Sequence, residues 1–344
     1  MTLALQGSEQ PLSLGYDAAF VDLDGVVYVG EHAVPGAAAA LEAARSAGMR
    51  VAFVTNNASR PPAAVAAHLS SLGVDAATAD VVTSAQAAAA MVLEMVGAAA
   101  AVLVVGGEGL EVALVECGLR PVRSADDEPA AVVQGFAPEV GWRQLAEGTF
   151  AVRRGVPWVA SNVDRTLPTA RGMAPGNGTL VGVIATATGR QPVVAGKPEL
   201  PLHRQAVQRT GAKHPLVVGD RLDTDIEGAH RAGTDSLLVL TGVTQPVQLL
   251  GAPDHQRPTY LGEDLEDGLL RPHPRVLQVD GGHACEGWLA SRQGEHWRVS
   301  GSGRPVDGLR ALCALVWDST VGPPPDDELE SLVSAVGWGR SRSV

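Results

Sequence analysis

The chain has 344 residues, 38 of them acidic against 26 basic, for a formal net charge of −12. That balance argues against a nucleic-acid binder, which needs a basic face, and the length calls for two or three domains. The hydrophobic share is 45% with only 4% aromatic, so Ala and Val carry the burial. An acidic protein that handles an anionic substrate must concentrate positive charge locally, through a metal, a lysine or helix N-termini.

From the N-terminus, Met1 to Ser13 lacks a basic region followed by an apolar core and does not read as a signal peptide. The longest apolar stretch, Met95 to Val105, falls well short of the roughly 20 residues a membrane helix needs. Cys117, Cys285 and Cys313 are widely separated and form neither a disulfide framework nor a metal knuckle. The expectation is a cytoplasmic chain with no membrane partner.

The first strand spans Tyr16–Asp22 and runs into Asp22-Leu23-Asp24-Gly25. The two carboxylates, at positions i and i+2, stand at the end of the strand, and Gly25 permits the chain to turn there. Both can then face the crevice where open α/β sheets bind ligands. One carboxylate can attack phosphorus while the other handles the leaving group's proton. A helix over Gly36–Ala47 and a strand over Arg50–Thr55 lead to Thr55-Asn56-Asn57. A hydroxyl there, with backbone amides turning into a helix, can donate to a phosphoryl group.

Helices follow at Pro61–Leu72 and Ser84–Val96, then a strand at Val102–Gly106, a helix at Gly109–Cys117 and a strand at Ala131–Gly135. A helix at Pro138–Glu147, a strand at Pro157–Ser161 and a helix at Gly178–Thr188 complete this run. Gly106-Gly107-Glu108-Gly109 lacks the spacing and the later acidic partner of a dinucleotide loop, and reads as a tight strand-to-helix turn. His32, His68 and His230 are isolated polar residues. After Val193-Val194-Ala195 comes Gly196-Lys197-Pro198, with Pro198 placed to begin the helix that continues over Leu200–Arg209. Lys197 and Lys213 are the only lysines, and a lysine at that mouth neutralises phosphoryl charge.

The strand Pro215–Asp220 ends in Gly219-Asp220-Arg221-Leu222-Asp223-Thr224-Asp225, before a helix over Asp223–Ala232 and a strand over Ser236–Thr241. Three carboxylates in six residues are hard to keep ionised without a cation, and oxygen ligands suit Mg²⁺. Taken singly, each motif has an ordinary alternative: an acidic turn, a polar turn, a surface lysine, a helix-capping loop. Their order makes the case, because each ends a predicted strand. Beyond Asp264 the character changes to short strands at Arg275–Asp280, Gly287–Ser291 and His296–Ser300. A helix follows whose apolar residues Leu309, Leu312, Cys313, Val316 and Trp317 form one stripe.

Alternating strands and helices indicate parallel α/β architecture. The expected domains are a core of 15–84 and 193–264, an inserted domain of 85–192, and an α+β extension of 265–344.

With its motifs at Asp22/Asp24, Thr55, Lys197 and Asp220/Asp225 in that order, the chain resembles the haloacid dehalogenase-like (HAD) hydrolases. Asn162-Val163-Asp164, Pro168-Thr169, Pro175-Gly176-Asn177-Gly178 and Thr188-Gly189 are similar to the inserted domain of subfamily IIA, the NagD and p-nitrophenyl phosphatase group, with Val163 replacing a common Pro. The resemblance covers about residues 15–260. Thr55–Arg60, Val81–Gln86, Val217–Gly228 and the tail look like the actinobacterial glycerol-3-phosphate phosphatases, whose tail is related to part of a GNAT acetyltransferase.

The resemblance implies a Rossmann-like core with a parallel sheet, an α/β cap of type C2 and a small C-terminal α+β extension. It implies Mg²⁺-dependent hydrolysis of a small phosphorylated metabolite through a phospho-aspartate on Asp22. Asp24 would be the acid and base, and Thr55, Asn56, Asn57 and Lys197 would bind the phosphoryl group. Asp22, the Asp24 backbone carbonyl and Asp220 would hold the metal, with Asp225 one layer further out. Dehalogenases in this superfamily lack an acid two residues after the nucleophile and ion pumps carry Thr there, so Asp24 favours a phosphate ester.

Glycerol 3-phosphate is the substrate that the overall resemblance implies; pyridoxal phosphate, phosphoglycolate and nucleotides stay open, to be chosen by the cap between Asn162 and Gly178. The competing class is a non-catalytic binding protein of the same fold, which the four intact motifs disfavour. The tail is short for an acyl-CoA site, so packing or a homodimer contact is its expected role.

Overall fold

Strands such as Ala18–Val21 and Ala101–Val105 carry no polar alternation, the pattern of strands covered on both faces. In the computed structural model, which describes residues 5–169, 171–294 and 296–338, every residue of both is buried. Met1 to Ala4, part of the N-terminal stretch read above, and 339–344 of the extension lie outside the described residues. The chain divides into two compact units: Met1–Val29, Ala33–Val51 and Ala212–Val344 form one, and Gly30–His32 with Ala52–Gly211 the other.

In the first unit Ala18–Val21 pairs in parallel with Pro215–Gly219, that strand with Ser236–Val239, and that one with Tyr260–Gly262. The helix Ala37–Ser46 packs on Leu265–Leu270. The tail forms an antiparallel sheet of Leu277–Val279, Gly282–Cys285, Trp288–Gln293 and His296–Gly301, in sequence order. Gly282–Cys285 is a strand that sequence reading missed, because a short Gly-containing segment gives no alternation to read.

The helix Pro305–Trp317 packs on the tail sheet and is buried all round, not on one stripe: Asp307 is 4% exposed and Arg310 3%. Its polar residues have buried partners. Arg310 donates to the Asp307 carboxylate, to the Leu261 carbonyl and, at 3.3 Å, to His273 Nδ1. Arg304 donates to Asp267. Leu238, Leu249 and Leu261 share one apolar cluster with Trp288, Leu309, Leu312, Trp317 and Leu332, so tail and sheet fold around a common core.

The second unit holds a parallel sheet ordered Val193–Val194, Trp158–Ala160, Ala131–Gln134, Ala101–Val105, Arg120–Val122. Beside it, Arg50–Thr55, which enters the unit at Ala52, pairs in parallel with Val81–Thr83. The Gly106–Gly109 turn packs against the chain following Thr55: a Cβ at Gly109 would stand 2.4 Å from the Ala58 carbonyl. Those glycines serve close backbone packing. The helix expected at Pro138–Glu147 runs over Trp142–Arg153 instead, because Ala137–Val140 turns first (Val140 N donates to Ala137 O at 3.1 Å) and Gly141 is extended. A hairpin, Thr166–Thr169 with Gly172–Pro175, was not legible, since Pro168 and Pro175 argue against strands.

His273 is 2% exposed and held as a neutral ring: Nε2 donates to the Gly268 carbonyl at 2.8 Å while Nδ1 accepts from Arg310. Burial first, and the Arg310 charge behind it, lower its pKa below the ordinary 6.5, against the opposing pull of the Gly268 bond. Burial lowers His203 likewise. Between 6.5 and the lowered values the unfolded chain takes up protons that the folded chain refuses, so stability present above pH 6.5 is lost as pH falls. The melting temperature is expected to drop as pH is lowered through that range, and part of the drop should vanish in His273→Gln. An unchanged profile in the variant would contradict this account.

Candidate active site

Asp22 follows the strand Ala18–Val21 and extends its ladder, its backbone N donating to the Val218 carbonyl at 2.8 Å. It is 9% exposed, while Asp24 has an exposed side chain. Between them the chain begins a tight turn: Val27 N donates to Leu23 O at 2.9 Å and Gly25 N to Tyr28 O at 2.8 Å. Gly25 sits at φ +85°, a conformation L side chains rarely adopt, and a Cβ there would stand 2.4 Å from Asp220 Oδ2.

Asp220 follows Pro215–Gly219, the strand beside Asp22's, and is 0% exposed. Its Oδ2 accepts from Val243 N at 2.6 Å, and Thr241 Oγ1 donates to the Gly25 carbonyl at 2.5 Å. A Cβ at Gly242 would come within 2.0 Å of Asp220 Oδ2. The segment 241–243 thus cradles Asp220, and nothing in its sequence announced this.

Asp225, 1% exposed, lies in a single π-helical turn, Leu222–Ile226, and accepts from Arg221 N at 3.2 Å. Such turns are frequent at functional sites. Arg221 itself grips Asp223 with two hydrogen bonds, at 3.0 and 2.8 Å, which leaves that acid on the surface.

One carboxylate oxygen each from Asp22, Asp220 and Asp225 lies within 4.8 Å of the others. This all-oxygen set, two of its members fully buried, is the donor chemistry of a hard divalent cation. The side chain of Asp225 stands in this group; that of Asp24 does not.

The remaining predicted residues belong to the second unit. Thr55, 3% exposed, ends the strand Arg50–Thr55, and its hydroxyl accepts from Asn57 N at 3.0 Å while keeping its own proton to donate. Asn57 Oδ1 accepts from Ser59 N and Oγ at 2.9 and 2.7 Å, which closes a local turn. Lys197, 8% exposed, donates from Nζ to the Val54 carbonyl at 2.9 Å, so its ammonium lies at the end of the Thr55 strand. The following helix begins at Leu200 and not at Pro198: residues 196–199 form a turn, with Glu199 N donating to Gly196 O at 2.9 Å.

The Asn56 carboxamide is fully engaged by the protein. Oδ1 accepts from Lys197 N at 2.8 Å, and Nδ2 donates to Lys197 O at 3.1 Å and to Asp164 Oδ2 at 3.2 Å. Its backbone carbonyl accepts from Ser84 Oγ at 2.6 Å and Asn162 Nδ2 at 2.7 Å. Sequence gave Ser84 no role, and gave Asn162 and Asp164 only a place in the segment expected to choose the substrate.

Residues 19–120 match the haloacid dehalogenase-like hydrolase family model, 194–268 a second HAD-hydrolase-like model, and 285–338 a GCN5-related N-acetyltransferase-like domain. The chain is 46% identical over 314 residues to D-glycerol 3-phosphate phosphatase of Mycobacterium tuberculosis, an alignment spanning 88% of this chain and 86% of that protein. Crystal structures of glycerol phosphate phosphatase from the same organism superpose with TM-scores of 0.85 (calcium complex) and 0.82 (magnesium complex). Identity is 40% and 43%, with coverage of 96% of this chain and 100% of the first, and 90% and 93% for the second. The chain belongs to the haloacid dehalogenase-like hydrolases.

Gly242→Ala is expected to push the Asp220 carboxylate out of the acidic group and weaken divalent-cation binding about 10–100-fold, the usual cost of disturbing a ligand's support. Calorimetric titration with Mg²⁺ checks this, and an unchanged affinity would sink the cradle.

Proposed function

We propose that this protein is a Mg²⁺-dependent phosphatase for small phosphate monoesters, with glycerol 3-phosphate as its substrate. The observation that carries the reading is the buried Asp22–Asp220–Asp225 group with the exposed Asp24 two residues after Asp22. The similarity to a D-glycerol 3-phosphate phosphatase supports the choice of ester.

An Asp22 carboxylate oxygen attacks phosphorus, and the bond from phosphorus to the ester oxygen breaks. Asp24, protonated, gives its proton to the departing alkoxide, and its exposure suits exchange with solvent. Asp24 then takes a proton from the water that hydrolyses the phospho-aspartate, returning both carboxyls to their starting forms. Thr55 donates its hydroxyl to the phosphoryl oxygens, Asn56 its backbone amide, and Lys197 its charge; the Asn57 side chain shapes their turn. Asp22 and Asp220, with the Asp24 backbone carbonyl and Asp225 in support, would hold Mg²⁺, which would neutralise charge on the phosphoryl group.

We also infer that a second copy of this chain is the partner of the tail sheet. The edge strand Leu277–Val279 is exposed throughout, and Leu277 stands in register with Ala284 and the exposed Leu289. A second such edge, paired antiparallel, would continue the tail sheet across the contact. A cytoplasmic setting agrees with the three free cysteines, and among the described residues no helix is long and apolar enough to cross a membrane.

Phosphate release from a panel including glycerol 3-phosphate, pyridoxal phosphate, phosphoglycolate and nucleotides, with and without Mg²⁺, tests the substrate. Asp22→Asn should abolish turnover and Asp24→Asn slow it about 10²–10⁴-fold; full activity in Asp22→Asn would remove the covalent step. Light scattering should return the mass of a dimer for the wild type and of a monomer for Leu289→Lys. A monomeric wild type would refute the tail contact.

A further inference from the structure

We propose that Asp164 is a positioning residue for the Lys197 ammonium and acts through the Asn56 carboxamide. The proposal rests on the phosphatase reading for the importance of Lys197, but its geometry stands by itself within the second unit.

A carboxylate can only accept, so Asp164 obliges Asn56 to present Nδ2, with both carboxylate oxygens in reach at 3.2 and 3.5 Å. The other end of the amide must then offer Oδ1, and Lys197 N donates to it at 2.8 Å. The second Nδ2 hydrogen goes to Lys197 O at 3.1 Å. Asn56 therefore clamps the donor and the acceptor of the Lys197 backbone while Asp164 sets its orientation. The approach is close: a Cβ at Gly196 would stand 2.4 Å from Asn56 Oδ1. With its backbone fixed, the lysine stem reaches Val54 O at 2.9 Å, beside Thr55.

Asp164 is itself strapped down. Its N–H donates to Asn162 Oδ1 at 3.1 Å, and its carbonyl accepts from Gly178 N at 2.8 Å. Asn177 Nδ2 holds the Asn162 carbonyl at 2.7 Å. Cβ atoms at Gly176 and Gly178 would meet the carbonyls of Asp164 and Val163 at 2.3 and 2.1 Å, so only glycine lets the start of the helix Asn177–Thr188 lie this close. The hairpin Thr166–Thr169 with Gly172–Pro175 grows out of this strap, which ties the segment expected to choose the substrate to the lysine expected to hold the phosphate.

Positioning and direct electrostatics predict opposite signs. A carboxylate acting on bound phosphate through its charge repels it, so its removal would tighten binding; a positioning carboxylate, once removed, loosens it. Calorimetric titration with inorganic phosphate in the presence of Mg²⁺ should show Asp164→Ala binding roughly tenfold more weakly, the scale of one hydrogen bond to a charged group. Asp164→Asn, whose Oδ1 can still accept from Asn56 Nδ2, should recover most of the loss. KM should rise alike for p-nitrophenyl phosphate and glycerol 3-phosphate.

Unchanged or tighter phosphate binding in Asp164→Ala would overturn the proposal. So would a loss confined to glycerol 3-phosphate, which would make Asp164 a leaving-group contact. If Asp164→Ala does not fold, Asn56→Asp should lose phosphate affinity by facing two carboxylates together, and adding Asp164→Asn should regain it; additive losses would refute the coupling. A wild type that binds phosphate without hydrolysing any ester would refute the phosphatase reading and leave this comparison intact.

Discussion

Three carboxylates from Asp22, Asp220 and Asp225 crowd within 4.8 Å, and the last two are closed off from water. At an effective dielectric near 20, two unit charges that close repel by roughly 3 kcal/mol, and three such pairs act at once. The protein sustains this with backbone: Val243 N holds Asp220, Arg221 N holds Asp225, and the Val218 carbonyl fixes the Asp22 backbone. Two glycines, Gly25 and Gly242, make the space. A divalent cation would relieve what remains, which is why this arrangement reads as suited to one.

Such a site requires a scaffold that does not give. The strands bearing Asp22 and Asp220 are neighbours in a sheet buried on both faces, so the separation of their ends is set by ladder spacing. The tail adds to that rigidity. Its helix Pro305–Trp317 shares an apolar cluster with Leu238, Leu249 and Leu261, and Arg304 and Arg310 connect it to Asp267 and the Leu261 carbonyl. The segment 285–338, which matches a GCN5-related N-acetyltransferase-like domain, thus shares one core with the parallel sheet.

The second unit solves a different problem, how to aim a long flexible cation. Lysine carries about 2 kcal/mol of side-chain rotamer entropy, so pinning its main chain at both polar groups is an economical way to limit where the ammonium can go. Asn56 does this with both ends of its carboxamide. A residue adjacent in sequence to a candidate phosphate-binding hydroxyl invites the ligand reading; its hydrogen bonds to Lys197 and Asp164 show what its side chain holds.

Strand ends, their acids, the hydroxyl turn and the lysine were legible in the sequence because each follows an apolar run and is local to it. The family resemblance followed from the same four places. What distance along the chain concealed is contact: the 241–243 cradle of Asp220, the clamp joining residues 56, 164 and 197, and the buried partners that turned a striped helix into one enclosed on every side. Proline hid the hairpin at 166–175, and the start of the helix Trp142–Arg153 was decided by an extended glycine. Sequence alone determined which chemistry the chain carries, since residue type and order set what can attack, donate and bind charge. Only tertiary structure decided which groups meet, because hydrogen-bond partners and burial depend on segments that the chain order does not place together.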